Sequence, residues 1–294
     1  MSSVLLGCAI GDALGVPFES KPADYELLLK WDGKSYLGSK YHNLLPGQYS
    51  DDTQMSLMVA ESLVENNDFN PDDLSLRYVD WIASGRARGY GKTTLIAVTS
   101  LYEGVHWSKS GVPDSYGNGT AMRAAPFGVF FRKDKKALID AVTIDSNMTH
   151  ASNEALAGAL AIALTTHYLV NDDLDDLLLR VMEDLPNNTR VKNLIQKIDS
   201  MLEINSHQQV LKVFGTKADV RQTVPSALYC LMKFTDCHEA MNAAIRAGYD
   251  SDTTAAIVGS LFGTCILDNL PENLILELED NILIIELDKK LYNG

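Results

Sequence analysis

The chain has 294 residues, of which 46% are hydrophobic and 22% charged, and it carries a formal net charge of −14 at pH 7. It is long enough to bury a large core, and its composition is that of an ordinary globular protein. Because a nucleic-acid binder needs a basic face that releases phosphate counterions, the acidic balance argues against that class of protein.

The N-terminal residues 1–17 have no basic start and include Asp12, so they lack the pattern of a secretory signal. No apolar run reaches the roughly 18 residues that a membrane-spanning helix needs. The cysteines lie in apolar helical patterns and form no C-x-x-C pair: Cys8, Cys230, Cys237 and Cys265. They are predicted to be buried thiols rather than zinc ligands or disulfide partners. We therefore expect a cytoplasmic protein that binds no membrane.

Helical periodicity dominates the chain. Apolar residues recur at three- and four-residue steps in residues 56–64, 74–82, 95–102, 156–168, 177–181, 194–202 and 228–234. Capping residues predict helix starts at Asn70 with Pro71, at residues 171–173, and at Thr235 with Asp236. The apolar and acidic stretch 274–287 predicts a last pair of helices. Since strand-like alternation is scarce and no linker is found, the pattern predicts one all-α domain over residues 1–294.

Two of the predicted helices are rich in small residues, which let helix backbones approach closely. One set is Ala155, Ala157, Gly158, Ala159, Ala161 and Ala163, and the other is Ala255, Ala256, Gly259 and Gly263. We expect these two helices to form a tightly packed centre.

Two short strings combine two carboxylates with hydroxyl groups, and each leads directly into an apolar helical segment. They are Ser50-Asp51-Asp52-Thr53 and Asp250-Ser251-Asp252-Thr253. Taken singly, each string is also a common helix N-cap, because Ser and Asp are favoured there. The second carboxylate of each string has no capping role, and carboxylate and hydroxyl oxygens suit hard divalent ions. If the strings converge, their four aspartates favour a site for two metal ions.

Glycines cluster in two loops that precede helical segments, at residues 85–91 and at Gly117-Asn118-Gly119. Backbone N–H groups and the positive end of a helix would face such a loop, which favours a phosphate. An ordinary tight turn is the alternative, since Asn and Gly tolerate positive φ. His150 lies between two helical stretches and Glu19 follows the first helix. Their simpler interpretations are a capping or surface histidine and a solvated glutamate.

Together these features resemble the ADP-ribosylglycohydrolases, and the bacterial dinitrogenase-reductase-activating glycohydrolase type is the most similar. The resemblance rests on blocks in the family's order: residues 7–15 with Pro17 and Glu19, residues 46–55, residues 117–126, Thr149 with His150, and residues 248–263. These blocks span nearly the whole chain, so their joint occurrence is specific.

The resemblance implies a compact multi-helix domain with two divalent cations, Mg²⁺ or Mn²⁺, in a cleft. The metal ligands that it implies are Ser50, Asp51, Asp52, Asp250, Asp252 and Thr253. The diphosphate and adenosine side of ADP-ribose would lie against Gly89, Gly91, Gly117, Asn118 and Gly119, with His150 at the distal ribose. Asp52 and Glu19 are the candidate catalytic carboxylates.

The implied activity is hydrolysis of the glycosidic bond between ADP-ribose and a modified protein side chain. The partner would be an ADP-ribosylated protein, and free ADP-ribose the product. Arginine is the default linkage, but no acidic residue lies near Gly89, where some members of the family carry one. Linkage to serine, nucleic acid or a small metabolite is therefore an alternative, and a non-catalytic ADP-ribose-binding relative is another.

Overall fold

The computed structural model describes residues 2–19, 25–265 and 272–294. Helices dominate these ranges, which confirms the all-α prediction. Their bounds are α1 Val4–Gly15, α2 Tyr25–Lys30, α3 Asp51–Asn66, α4 Pro71–Ala83, α5 Lys92–Tyr102, α6 Ala125–Phe130, α7 Lys135–Thr149, α8 Asn153–Val170, α9 Leu177–Glu183, α10 Arg190–Ile195, α11 Ile198–Leu202, α12 His207–Phe214, α13 Val220–Lys233, α14 Cys237–Ala247, α15 Ser251–Cys265, α16 Glu272–Leu276 and α17 Asn281–Asn293. Short 3₁₀ turns lie at Val16–Phe18 and Trp107–Lys109.

Helices α1 and α15 form the centre of the fold. Among the described elements, α1 packs more extensively against α15 than against any other. A Cβ atom at Gly7 or Gly11 would overlap the backbone of Gly259 or Ala255, so the lack of side chains allows the two backbones to touch. The predicted contact between the two small-residue helices, α8 and α15, is present, but the closest partner of α15 is α1. This contact brings Asp12 of α1 near the start of α15.

The remaining core forms around this central pair. Helices α8, α13 and α14 pack on α15, and α3 packs on α1. Their facing side chains are apolar and buried, as for Val59 of α3, Leu164 of α8 and Ile257 of α15. Burial of this surface stabilises the packing that holds the N-termini of α3 and α15 side by side.

A short strand pair connects the loop before α6 to the end of α7. β1 Val112–Pro113 runs parallel to β2 His150–Ala151, with Val112 opposite His150. Ser152, which caps α8, also donates a hydrogen bond from its hydroxyl to the carbonyl of Ser115 at 2.5 Å. These contacts fix the loop at residues 117–119 beside His150.

The capping predictions were right at two of three places. Asn70 and Asp236 accept hydrogen bonds from the backbone N–H groups of Asp73 and Glu239, and so cap α4 and α14. The helix start predicted at residues 171–173 was wrong, because Asn171 ends α8 and Asp172 has a positive φ of 54°. Asn and Asp favour both helix starts and left-handed turns, so their presence alone does not distinguish the two.

Three further predictions concern single segments. The helix predicted over residues 194–202 is divided into α10 and α11 at Lys197, whose N–H donates to the carbonyl three residues earlier. The predicted pair of C-terminal helices is confirmed as α16 and α17. All four cysteines are free, but Cys265, at the end of α15, is exposed and so contradicts the prediction of a buried thiol. Among the described residues, no helix has both the length and the apolar character that crossing a membrane requires.

Candidate active site

Asp12 organises the start of α3. Its carboxylate is fully buried and accepts hydrogen bonds from the backbone N–H groups of Ser50 and Thr53, both at 3.0 Å. It also accepts from the Thr53 hydroxyl at 2.6 Å. The donors at the helix N-terminus are therefore satisfied by a side chain from another helix. The sequence analysis gave Asp12 no role, although a lone carboxylate in the apolar α1 was an available signal.

Asp52 and Thr253 join the two acidic strings. Oδ2 of Asp52 accepts hydrogen bonds from the hydroxyls of Ser50 at 3.2 Å and Thr253 at 3.3 Å. Its other oxygen, Oδ1, is buried and has no hydrogen-bond partner among the described residues. A buried carboxylate oxygen without a donor is costly in free energy, so this atom calls for a cation or a water.

The second string is positioned by a turn in which Gly248 and Tyr249 have positive φ values of 79° and 62°. The turn directs the N–H of Asp250 to the carbonyl of Thr216 at 2.8 Å. The Asp250 carboxylate accepts a hydrogen bond from the side-chain amide of Asn118. Asn118 thereby links the second acidic string to the glycine loop.

Two groups of side chains bring ligand-type atoms within 4.8 Å of one another. One consists of Asp12, Asp52 and Asp252, and the other of Glu19, His42 and Asp252. Asp252 belongs to both groups. The arrangement offers several oxygen ligands around two adjacent positions, which is the donor chemistry that Mg²⁺ and Mn²⁺ take.

The electrostatics of the site also fit a cation. Burial raises the pKa of each of five aspartates, namely Asp12, Asp51, Asp52, Asp250 and Asp252. The pKa of Asp250 rises to about 7. For every one of the five except Asp12, the negative charge of nearby carboxylates raises the pKa further. Within the described ranges, none of the five forms an ion pair with lysine or arginine. Divalent cations would offset this uncompensated negative charge.

A cavity of about 220 Å³ lies over these carboxylates. Of the site residues predicted from the sequence, the following line it: Glu19, Asp51, Asp52, Gly89, Gly91, Gly117, Asn118, Gly119, His150, Asp250, Asp252 and Thr253. Ser50 lies behind Asp52 and is fully buried. The carboxylates and the glycine loops thus share one cavity, and the roles assigned to them stay predictions.

His150 lies against the glycine loop. A Cβ atom at Gly117 would come within 2.9 Å of Nε2 of His150, and one at Gly119 within 2.9 Å of its Cε1. Burial lowers the pKa of His150 to about 3, with the charge of Arg123 as a further cause. The imidazole is therefore neutral near pH 7, and the two glycines make room for its ring.

Three residues to which the sequence analysis assigned no role in the site contribute to it. Nε2 of His42 contacts the carboxylate of Glu19, whose side chain is 28% exposed at the cavity. Arg123, which is fully buried, donates a hydrogen bond to the carbonyl of Gly119 at 2.8 Å. Lys92 lines the cavity at the start of α5. His42 had no sequence signal, because a single histidine in a polar loop is usually a surface residue.

Comparison with known proteins identifies the chain at the level of the family. The family model for ADP-ribosylglycohydrolase matches residues 2–294. The chain belongs to the ADP-ribosylglycohydrolase family. This confirms the resemblance seen in the sequence, and with it an ADP-ribosyl hydrolase as the kind of enzyme. The similarity to the dinitrogenase-reductase-activating type stays a prediction.

Several known proteins resemble the chain over most of its length. An uncharacterized protein of Archaeoglobus fulgidus is 31% identical over 98% of this chain and 94% of its own. ADP-ribosylarginine hydrolase Tri1 of Pseudomonas putida is 28% identical over 88% and 68%. ADP-ribosylhydrolase ARH3 of Xenopus tropicalis is 25% identical over 88% and 85%. A solved ADP-ribosylglycohydrolase-related protein complex superposes with a TM-score of 0.80 at 25% identity, covering 99% of this chain and 96% of that one.

Proposed function

We propose that this protein hydrolyses the glycosidic bond between ADP-ribose and a modified protein side chain, with arginine as the linkage and two divalent cations as cofactor. One observation carries the proposal: carboxylate oxygens of Asp12, Asp52 and Asp252 lie within 4.8 Å of one another. They do so in a chain that belongs to the ADP-ribosylglycohydrolase family. The glycine loops and His150 line the same cavity and provide the surface against which the ADP-ribose would bind.

The cations would be held by the side chains of the two acidic strings: Ser50, Asp51, Asp52, Asp250, Asp252 and Thr253. Bound there, Mg²⁺ or Mn²⁺ would stabilise negative charge on substrate oxygens and lower the pKa of a water molecule. The unpartnered Oδ1 of Asp52 and the raised pKa values of the buried aspartates support this assignment.

Glu19 is the proposed proton carrier of the reaction. It lines the cavity and is partly exposed, whereas Asp52 is buried between Ser50 and Thr253. The water oxygen forms a bond to the anomeric carbon of the ribose as the bond from that carbon to the arginine nitrogen breaks. Glu19 accepts a proton from the water and passes it to the nitrogen, which keeps the electron pair of the broken bond. The contact with Nε2 of His42 orients the Glu19 carboxylate for this transfer.

Two observations favour arginine over other linkages. The Tri1 relative of Pseudomonas putida, at 28% identity, is named an ADP-ribosylarginine hydrolase. The partly exposed Glu19 also places a carboxylate at the cavity, where it can pair with a departing guanidinium.

The test is a comparison of substrates and metals. The purified protein is incubated with proteins ADP-ribosylated on arginine, peptides ADP-ribosylated on serine, and ADP-ribosylated nucleic acid, each with Mg²⁺, Mn²⁺ or EDTA. We expect free ADP-ribose from the arginine substrate only in the presence of metal. Preferred release from serine or nucleic acid would overturn the linkage. Binding of ADP-ribose without release from any substrate would overturn the hydrolase.

A further inference from the structure

A fully buried hydrogen-bond network lies behind the His150 side of the cavity. Arg123 forms an ion pair with Asp145 at 3.0 Å, and Asp145 also accepts a hydrogen bond from the hydroxyl of Tyr78. Arg123 donates to the Thr149 hydroxyl oxygen at 2.9 Å. A guanidinium group has only donors, so the Thr149 oxygen must be the acceptor in this contact.

The same Thr149 oxygen lies 2.9 Å from Nδ1 of His150. If Nδ1 carried a hydrogen, the oxygen would accept two hydrogen bonds, and the hydroxyl hydrogen of Thr149 would need another acceptor. In the part of the chain that the structure describes, the Thr149 hydroxyl makes no hydrogen bond other than these two. Thr149 is fully buried, so an unused hydroxyl hydrogen would be costly. The network is complete when Thr149 donates to Nδ1.

We propose that Thr149, held by Arg123, fixes His150 in the neutral form that carries its hydrogen on Nε2, and that this N–H donates a hydrogen bond to an oxygen of the bound ligand. Thr149 and Arg123 are then positioning residues, because they act on the ligand only through His150. The identity of the ligand, ADP-ribose, rests on the proposed function. The tautomer of His150 rests only on the hydrogen bonds of Thr149.

The surroundings of Nε2 support the second half of the proposal. His150 is 2% exposed, yet it lines the cavity, and its Nε2 has no hydrogen-bond partner among the described residues. The neighbouring Gly117 and Gly119 have no side chains that could take up this donor. A neutral N–H donor suits an uncharged acceptor such as a ribose hydroxyl, since it adds no charge to the cavity.

Nuclear magnetic resonance tests the tautomer directly. The protein contains six histidines, so labelling with ¹⁵N-histidine gives a small set of ring signals, and His150→Gln identifies the signal of interest. In the ligand-free wild type we expect His150 to show a protonated Nε2 and an unprotonated Nδ1. A wild-type spectrum with the hydrogen on Nδ1, or with a charged imidazole at pH 7, overturns the proposal.

Two substitutions separate the hydroxyl from the shape of residue 149. Thr149→Val keeps the volume and removes the hydroxyl, whereas Thr149→Ser keeps the hydroxyl. We expect the Val variant to lose the single tautomer and to bind ADP-ribose roughly 10-fold more weakly, as for the loss of one hydrogen bond. The Ser variant should match the wild type in both measurements. Equal tautomer and affinity in the wild type and the Val variant overturn the role of Thr149.

The two proposals fail in different ways. The tautomer is read in ligand-free protein and needs no catalysis, so it can be established even if no ADP-ribosylated substrate is cleaved. Conversely, cleavage with the wrong tautomer would leave the proposed function in place and remove only this inference.

Discussion

The hydroxyl of Thr253 lies 3.3 Å from Oδ2 of Asp52, although the two residues are 201 positions apart in the chain. This contact joins the N-terminus of α3 to that of α15. It brings together carboxylates whose mutual repulsion and burial are unfavourable unless cations are bound. The packing of α1 against α15, and the hydrogen bonds from α3 to Asp12, hold the two helix starts in place.

Substitution of Asp52 by Asn should separate metal binding from folding. The neutral amide is a weaker ligand than a carboxylate, so we expect the affinity for metal, and the activity that depends on the metal, to fall by roughly 100-fold or more. Without metal, loss of a buried charge should leave the free energy of unfolding unchanged or raise it. Calorimetric titration with Mn²⁺ and urea unfolding measure the two effects. The matched control is Asp199→Asn on the exposed surface of α11, and equal metal affinity in both variants would contradict the ligand assignment.

The contact between α1 and α15 predicts the effect of a single methyl group. A Cβ atom at residue 259 would overlap the backbone of Gly7, so Gly259→Ala should lower the free energy of unfolding by about 1–3 kcal/mol. It should also weaken metal binding, because it pushes Asp12 away from Asp252. Gly91→Ala is the control for stability, since a Cβ atom there meets no atom within 4 Å. Equal urea midpoints for the two variants would show that the helices are not in close contact.

The neutral His150 predicts a contribution to acid unfolding. Its pKa is about 3 in the folded protein and near 6.5 in the unfolded chain. Between these values the unfolded chain binds the proton and the folded protein does not, so stability falls as the pH falls from about 6.5 toward 3. The slope from one such group is about 1.4 kcal/mol per pH unit. His150→Gln should reduce the slope of the unfolding free energy against pH by this amount. If the variant and the wild type showed the same slope between pH 3 and 6.5, the burial of a neutral imidazole would be contradicted.

Glu19→Gln tests the proton carrier. The amide keeps the size of the side chain but accepts no proton, so kcat should fall by roughly 10²- to 10⁴-fold, whereas the affinity for ADP-ribose should stay near the wild-type value. Glu26→Gln, at an exposed position of α2, is the control. An unchanged kcat in the Glu19 variant would show that another group carries the proton. The comparison is made at saturating metal, so that a change in metal affinity does not enter.

Much of the site could be predicted because several of its residues are neighbours in the sequence. Their shared chemistry is therefore visible before the fold is known. The strings that contain Asp52 and Asp252 each carry one carboxylate more than a helix cap uses, and this excess indicated a metal site. The structure places both strings in the cavity that the glycine loops also line. Local patterns also identified the helices, since apolar periodicity depends on near neighbours along the chain.

What the sequence did not reveal depends on contacts between distant segments. Asp12 lies in an apolar helix, and its role follows only from its bonds to Ser50 and Thr53. The pairing of α1 with α15 depends on glycines that, in the sequence alone, favour several partners equally. Arg123 and His42 act through Thr149 and Glu19, and no spacing rule connects either pair.

The most direct test of the account is a crystal of the protein soaked with Mn²⁺ and ADP-ribose, measured with anomalous scattering. The account predicts two manganese peaks in the cavity, bounded by the side chains of Asp51, Asp52, Asp250 and Asp252, with the ADP-ribose against the loop at residues 117–119. A cavity without manganese peaks at saturating concentration, or peaks bound only at other surfaces of the protein, would contradict it.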